Sequence, residues 1–278
     1  MSETIGVLNP GEMGSAVGAA LRAAGHRVLW ASAGRGPATA ARAKADGLED
    51  AGDVAAIART AGTIVSVCPP HAALDLAREV AALRFRGAFI DGNAVSPATA
   101  REIGRLVEAG GATFVDGGII GPPPRKPSTS RLYLSGTAAP RAAALFQGGL
   151  LEAIVVDGPP GAASAVKVAY AAWTKGHAAL LMAVRAFAVH ERVDATLLAE
   201  WALSQPQLAA RSEAAIASNS RKAWRFVGEM EEIAAAFGAC GLPEGFHAAA
   251  AEVYKGLAGW KDTPTPPSVE EIAKTLAP

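Results

Sequence analysis

Ile5-Gly-Val-Leu-Asn-Pro-Gly-Glu-Met-Gly-Ser-Ala-Val-Gly18 decides the fold. Thr4 to Leu8 is a short, mostly apolar run, the pattern of a strand buried in a parallel sheet. Asn9-Pro10-Gly11 reads as a sharp turn. From Glu12 an Ala-rich segment sets Met13, Ala16, Val17, Ala20 and Leu21 at helical spacing and ends near Gly25. Strand, glycine turn and helix, in that order, are the setting of a dinucleotide-binding fingerprint. Gly11 lets the backbone approach a pyrophosphate with no Cβ in the way, and Gly14 lets helix and strand pack closely. The helix N-terminus presents N–H groups and a positive dipole end to phosphates. Asn9 stands where the fingerprint has its first glycine, and asparagine tolerates left-handed backbone. Asn9, Pro10, Gly11, Glu12, Met13 and Gly14 are therefore candidate cofactor residues.

The next strand is His26 to Ala31. An NAD site places an acid at its end to hold the ribose 2′-hydroxyl. Here the positions read Ala31-Ser-Ala-Gly-Arg35, without one. Ser32 and Arg35 suit a 2′-phosphate instead, because a guanidinium pairs well with phosphate. The expected cofactor is NADP(H). Further strands are read at Thr63 to Val67, Ala88 to Asp91, Thr113 to Asp116, Arg131 to Ser135 and Ala153 to Val156, with helices between most of them. In such a sheet the ligand crevice lies outside the carboxyl ends of the strands. That adds Cys68, Pro69, Pro70 and Asn93 to the cofactor set. Gly117 to Pro127 reads as a Gly- and Pro-rich loop with a basic tip, Arg125-Lys126.

The alternation predicts a Rossmann-type, doubly wound parallel sheet over residues 1–160. After Asp157-Gly-Pro-Pro-Gly161 no convincing strand appears. Ala162 to about His190 reads as one long helix, and the rest, to 278, is expected to be all helical and to carry substrate and dimer contacts. Half of the 278 residues are apolar and the net charge is zero, which argues against nucleic acid or an anionic membrane as partner. No run of about 18 apolar residues and no signal peptide is seen, so a soluble, cytoplasmic protein is expected. Cys68 and Cys240 suggest neither a disulfide framework nor a metal site.

Four blocks resemble the β-hydroxyacid dehydrogenase family, which includes 3-hydroxyisobutyrate and 6-phosphogluconate dehydrogenases and, more distantly, imine reductases. Asn9-Pro-Gly-Glu-Met-Gly14 is similar to its Gly-Leu-Gly-x-Met-Gly. Asp91-Gly-Asn-Ala-Val-Ser-Pro97 is similar to its Asp-x-Ser/Thr-x-x-x-Pro. Asp116-Gly-Gly-Ile-Ile-Gly121 stands at its Asp-Ala-Pro-Val-Ser-Gly-Gly. Gly161-Ala-Ala-Ser-Ala-Val-Lys167 is similar to the opening of its interdomain helix, whose lysine is catalytic. The resemblance implies substrate contacts from Ile119, Ile120 and Gly121, with Arg125 and Lys126 as anion handles, and a homodimer. Three departures stand out. Ile120 replaces the carboxylate-binding serine, Tyr170 or Ala171 the asparagine after the lysine, and Glu229-Met230 the late Lys-Asp pair.

Read without the family, the long helix still points to Lys167. Lys167, Tyr170, Ala171, Thr174 and Ala178 share one face. Its alanines leave room for a ligand, and Lys167, Tyr170 and Thr174 supply the chemistry. Lys175 is the rival amine. The expected reaction is hydride transfer between nicotinamide and a secondary alcohol or ketone of a small anionic substrate, with lysine moving the proton. The alternatives are reduction of an imine and a non-catalytic NADP-binding sensor or scaffold.

Overall fold

A computed structural model of the chain describes residues 2–277. Apolar, largely β-branched runs take up the sheet, and the Ala-rich segments between them cover it. In chain order the first elements are β1 Thr4–Leu8, α1 Glu12–Ala23, β2 Arg27–Trp30, α2 Pro37–Ala45, β3 Glu49–Asp50 and α3 Val54–Thr60. They are followed by β4 Thr63–Ser66, α4 Pro70–Ala82, β5 Ala88–Asp91, α5 Pro97–Ala109 and β6 Thr113–Ile120. β7 Arg131–Ser135, α6 Ala139–Ala144 and β8 Glu152–Val155 close the sheet. Helix starts follow local chemistry. Proline occupies the first turn of α2, α4 and α5, and Asp53 and Ser96 cap α3 and α5 through their side chains.

The eight strands are ordered β3-β2-β1-β4-β5-β6-β7-β8. Neighbouring residues on each central strand face opposite layers. Ile64, Phe89 and Phe114 pack with α3, α4 and α5. Val65, Ile90 and Val115 pack with α1, α2 and α6. A sheet covered on both faces needs this apolar-on-both-sides reading.

Two expectations need correction. The sheet is not wholly parallel, because β6 and β7 pair antiparallel, Ile120 opposite Arg131 and Asp116 opposite Ser135. The stretch from Gly117 is not loop up to Ile120. It extends β6, and since Asp91 is the last residue of β5 and pairs with Asp116, this half of β6 stands beyond the end of β5. Its glycines mimic a loop in sequence, but they are there for close packing. A Cβ at Gly117 would lie 2.7 Å from the Asp91 carbonyl oxygen.

The remaining elements are α7 Ala162–His190, α8 Asp194–Ser204, α9 Leu208–Asn219, α10 Ala223–Ala239, α11 Gly245–Gly256 and α12 Val269–Leu276. The chain forms two compact units, one up to Val168 and one from Ala169 on, so the first turns of α7 belong to the sheet unit. In the helical unit the buried Arg185 holds Asp194 with two hydrogen bonds, 2.7 and 2.9 Å, and Ser212 with a third, 2.8 Å. A guanidinium so enclosed is tolerable because all three of its nitrogens are engaged. Among the described residues no helix is long and apolar enough to cross a membrane.

Candidate cofactor and active site

The glycine turn has the shape its residues suggest. Asn9 adopts a left-handed backbone, φ 62°. Gly11 is the N-cap of α1, supplies no side-chain cap, and has open space where a Cβ would be. Gly14 is the opposite case, since a Cβ there would collide with the Asn9 carbonyl oxygen. Pro10 is buried and its carbonyl accepts Arg42 Nη1 at 3.2 Å. Glu12 is exposed, and Met13 packs on the core. Asn9 Oδ1 is buried with no hydrogen-bond partner in the structure. An open N-cap and a cradle that only glycine leaves free fit a dinucleotide pyrophosphate.

Along the same edge, Ser32 donates weakly to the Gly52 carbonyl at 3.5 Å and Arg35 is exposed. Arg35 lies near enough to Cys68 for its charge to act on the thiol, so the segments after β2 and β4 converge. Burial pushes the Cys68 thiol up to about 12, which leaves it an unreactive, protonated neighbour. Pro69 and Pro70 open α4. Asn93 is buried and ties the edge together. Its Oδ1 accepts the Cys68 N–H at 2.6 Å, and its Nδ2 donates to Ser66 Oγ at 3.1 Å and to Asp91 Oδ1.

Sequence reasoning missed two buried carboxyls here. Asp91 and Asp116 are both fully buried, side by side on β5 and β6. Asp116 accepts from Ser135 Oγ at 2.8 Å, Gly161 N at 2.9 Å, Ser164 N at 3.1 Å and Ser164 Oγ at 2.5 Å. Asp91 Oδ2 has no partner, and burial, then the charge of Asp116, pushes its carboxyl up to about 8. Asp91 therefore keeps its proton at neutral pH. Asp116 was legible only as part of a family block, and no local pattern announces a contact 48 residues away.

Lys167 is half-buried, two turns into α7. A Cβ on Gly118 would lie 2.8 Å from Lys167 Cβ and 3.0 Å from the Ala163 carbonyl oxygen, so α7 rests directly on the half of β6 that runs beyond β5. Ile119 and Ile120 were expected to meet substrate. Both are strand residues, 6% and 3% exposed, on opposite faces of β6, with Ile119 in the core. Gly121 ends the strand at φ 119°, and its site is too close to the Thr129 carbonyl for a side chain. The basic tip is split. Lys126 is exposed, while Arg125 grips Asp46 with both terminal nitrogens, Nη2 at 2.9 Å. Asp46 also accepts from Ser15 in α1, so Arg125 is anchored near α1.

In the helical unit Tyr170 is 48% exposed. Thr174 donates its hydroxyl proton to the Tyr170 carbonyl at 3.0 Å, a bond within the helix. The rival amine is committed. Lys175 Nζ lies 2.6 Å from Glu229, and 5.0 Å from the Phe226 ring centre, with its carbonyl taken by Tyr254 at 2.8 Å.

Residues 4–140 match the family of the NAD binding domain of 6-phosphogluconate dehydrogenase, and residues 188–257 match a domain of unknown function, DUF1932. A conserved hypothetical protein from Sinorhizobium meliloti 1021 is 26% identical over 100% of this chain and 96% of its own, with TM-score 0.73. A 3-hydroxyisobutyrate dehydrogenase from Mycobacterium tuberculosis shares the fold, with 20% identity, full coverage of both chains and TM-score 0.75. So does a reductive aminase from Aspergillus terreus in complex with NADPH and ethyl levulinate, with 18% identity, 99% coverage of each chain and TM-score 0.58. The comparison with curated proteins finds no match. Residues 4–140 thus match an NAD-binding domain family, that of 6-phosphogluconate dehydrogenase, and the chain as a whole shares the fold of a 3-hydroxyisobutyrate dehydrogenase.

Proposed function

We propose that the chain is an NADP(H)-dependent oxidoreductase acting on a secondary alcohol or ketone of a small substrate, with Lys167 as its acid–base group. The observation that carries this is the seat of Lys167 on Gly118, beyond the end of β5 and in the same unit as the glycine turn. The turn from Asn9 to Gly14 would hold the pyrophosphate, and Arg35 with Ser32 the 2′-phosphate. NADPH over NADH is supported by the exposed guanidinium and by the lack of an acid after β2. When bound, the cofactor supplies the hydride. Lys167 takes the hydroxyl proton in oxidation and returns one in reduction. Lys126 is the exposed cation left at the loop tip for an anionic substrate.

The helical unit supports a homodimer. Trp173, Leu180 and Phe187, seven residues apart on α7, are 64%, 60% and 65% exposed, a seam of the kind that pairs helices. The two free cysteines suit the reducing cytoplasm.

Lys167→Ala tests the reading. With hydroxy acids, ketones and cyclic imines as substrates, kcat is expected to fall by about a hundredfold or more, while the NADPH dissociation constant moves less than roughly threefold. Turnover at the wild-type rate would defeat it. Turnover of imines alone would move the chemistry to C=N reduction, and no turnover by the wild type would favour a sensor.

A further inference from the structure

We infer that Asp116 is the positioning residue for Lys167: its buried carboxylate clamps the first turn of α7 to β6, so that the amine is held at one place above the sheet. The inference rests on the acid–base reading of Lys167.

The first turn of a helix leaves four N–H groups without partners inside the helix. At α7 every one of these amides is accounted for. Gly161 and Ser164 donate to Asp116 Oδ2, at 2.9 and 3.1 Å. Ala163 donates to Ser135 Oγ at 3.1 Å, and Ala162 to the Pro159 carbonyl at 3.1 Å. Ser135 passes its own proton to Asp116, so it relays the clamp. Ser164 adds a second bond through its hydroxyl, at 2.5 Å. A negative charge at this end also interacts favourably with the helix dipole.

The clamp and the amine lie on one line. Asp116 and Gly118 point to the same side of β6, because side chains alternate along a strand. Asp116 takes the start of α7, and one turn on Gly118 receives Lys167 Cβ with no room for a methyl group between them. The helix therefore cannot slide or rotate without breaking the Asp116 bonds or striking β6. Ordinary capping needs one acceptor. Here one carboxylate takes four donors from two serines and two amides, which determines direction as well as end.

The test reads the amine directly. Trinitrophenylation of Lys167 by 2,4,6-trinitrobenzenesulfonate is followed peptide by peptide by mass spectrometry from about pH 6 to about pH 10, with NADPH bound. Ser164→Ala, Ser164→Thr and Asp116→Asn are compared with wild type. Ser164→Ala keeps the carboxylate and removes one donor, so it carries the test should Asp116→Asn not fold. Both Ser164→Ala and Asp116→Asn are expected to change the Lys167 rate by about threefold or more, and Ser164→Thr, which restores a hydroxyl, to bring it back. Labelling of Lys44 and Lys255 is expected to stay at wild type. An unchanged Lys167 rate in Ser164→Ala, or a change that Ser164→Thr does not reverse, overturns the inference. The two readings fail separately. Lys167→Ala that turns over normally removes the acid–base role while a labelling change still establishes the clamp. Lys167→Ala that is inactive, beside unmoved labelling, removes the clamp alone.

Discussion

The first turns of α1 and α7 are completed in opposite ways. At α1 the N-cap is a glycine with no side chain to offer and open space beside it. At α7 every first-turn amide already has a protein acceptor, and a buried carboxylate sits where an outside anion would go. The same backbone feature is a receptor in one place and a joint in the other. What separates them is whether the fold supplies its own negative charge. This explains why a helix N-terminus alone says little about binding.

The comparison breaks most visibly at Gly11. Gly11→Asp gives α1 its own anion, as α7 has. It adds a side chain where nothing lies within 4 Å, so thermal stability is expected to stay near wild type. NADPH binding is expected to weaken by about a hundredfold or more, roughly 3 kcal/mol, from like charge at the phosphates. Unchanged affinity in a calorimetric titration would mean that the pyrophosphate sits elsewhere.

A smaller effect is expected at the neighbour of the α7 anion. Asp91 is pushed up to about 8, against 3.8 for the free side chain. Below the lower value both folded and unfolded chains hold this proton. Between the two values only the folded chain does, so this group makes stability fall as pH rises, and above about 8 the loss is complete. Asp91→Asn removes the titration. Its stability is expected to fall less steeply than wild type from about pH 5 to about pH 8, by on the order of 1 kcal/mol per pH unit. Parallel curves in urea titrations across that range would show that Asp91 is ionised.

The smallest effect belongs to the loop tip near α1. Arg125 is about half exposed, so its pair with Asp46 is screened by solvent. Arg125→Ala is expected to cost no more than about 1 kcal/mol, and less as salt is raised. A clear rise in KM for an anionic substrate would return Arg125 to the substrate site.

The regular parts of the fold were legible because their causes are local. α2, β5, β7 and α7 lie where proline starts, apolar runs and glycine stops put them. The second half of β6 was not, since Gly117-Gly118 followed at a short distance by three prolines looks like loop. Its glycines answer to Asp91 and Lys167, which are distant in sequence. At the site, the glycine turn could be read in full from nearest neighbours. The ion pairs Arg125–Asp46 and Lys175–Glu229 could not, because each joins residues more than fifty positions apart and each turns a candidate ligand into a structural contact. Asp116 shows the same limit from the other side. Its carboxylate is meaningful only once Ser135, Gly161 and Ser164 surround it.

Asn9 has a consequence for how the protein ages. An asparagine in an open turn is a common place for slow deamidation, in which the nitrogen of the following peptide attacks the side-chain carbonyl and an aspartate results. Here the following residue is Pro10, whose nitrogen carries no hydrogen to lose. Ring closure by that route is blocked at Asn9. The replacement of the first fingerprint glycine by Asn-Pro thus keeps the left-handed backbone, φ 62°, while protecting the turn against acquiring a negative charge with time.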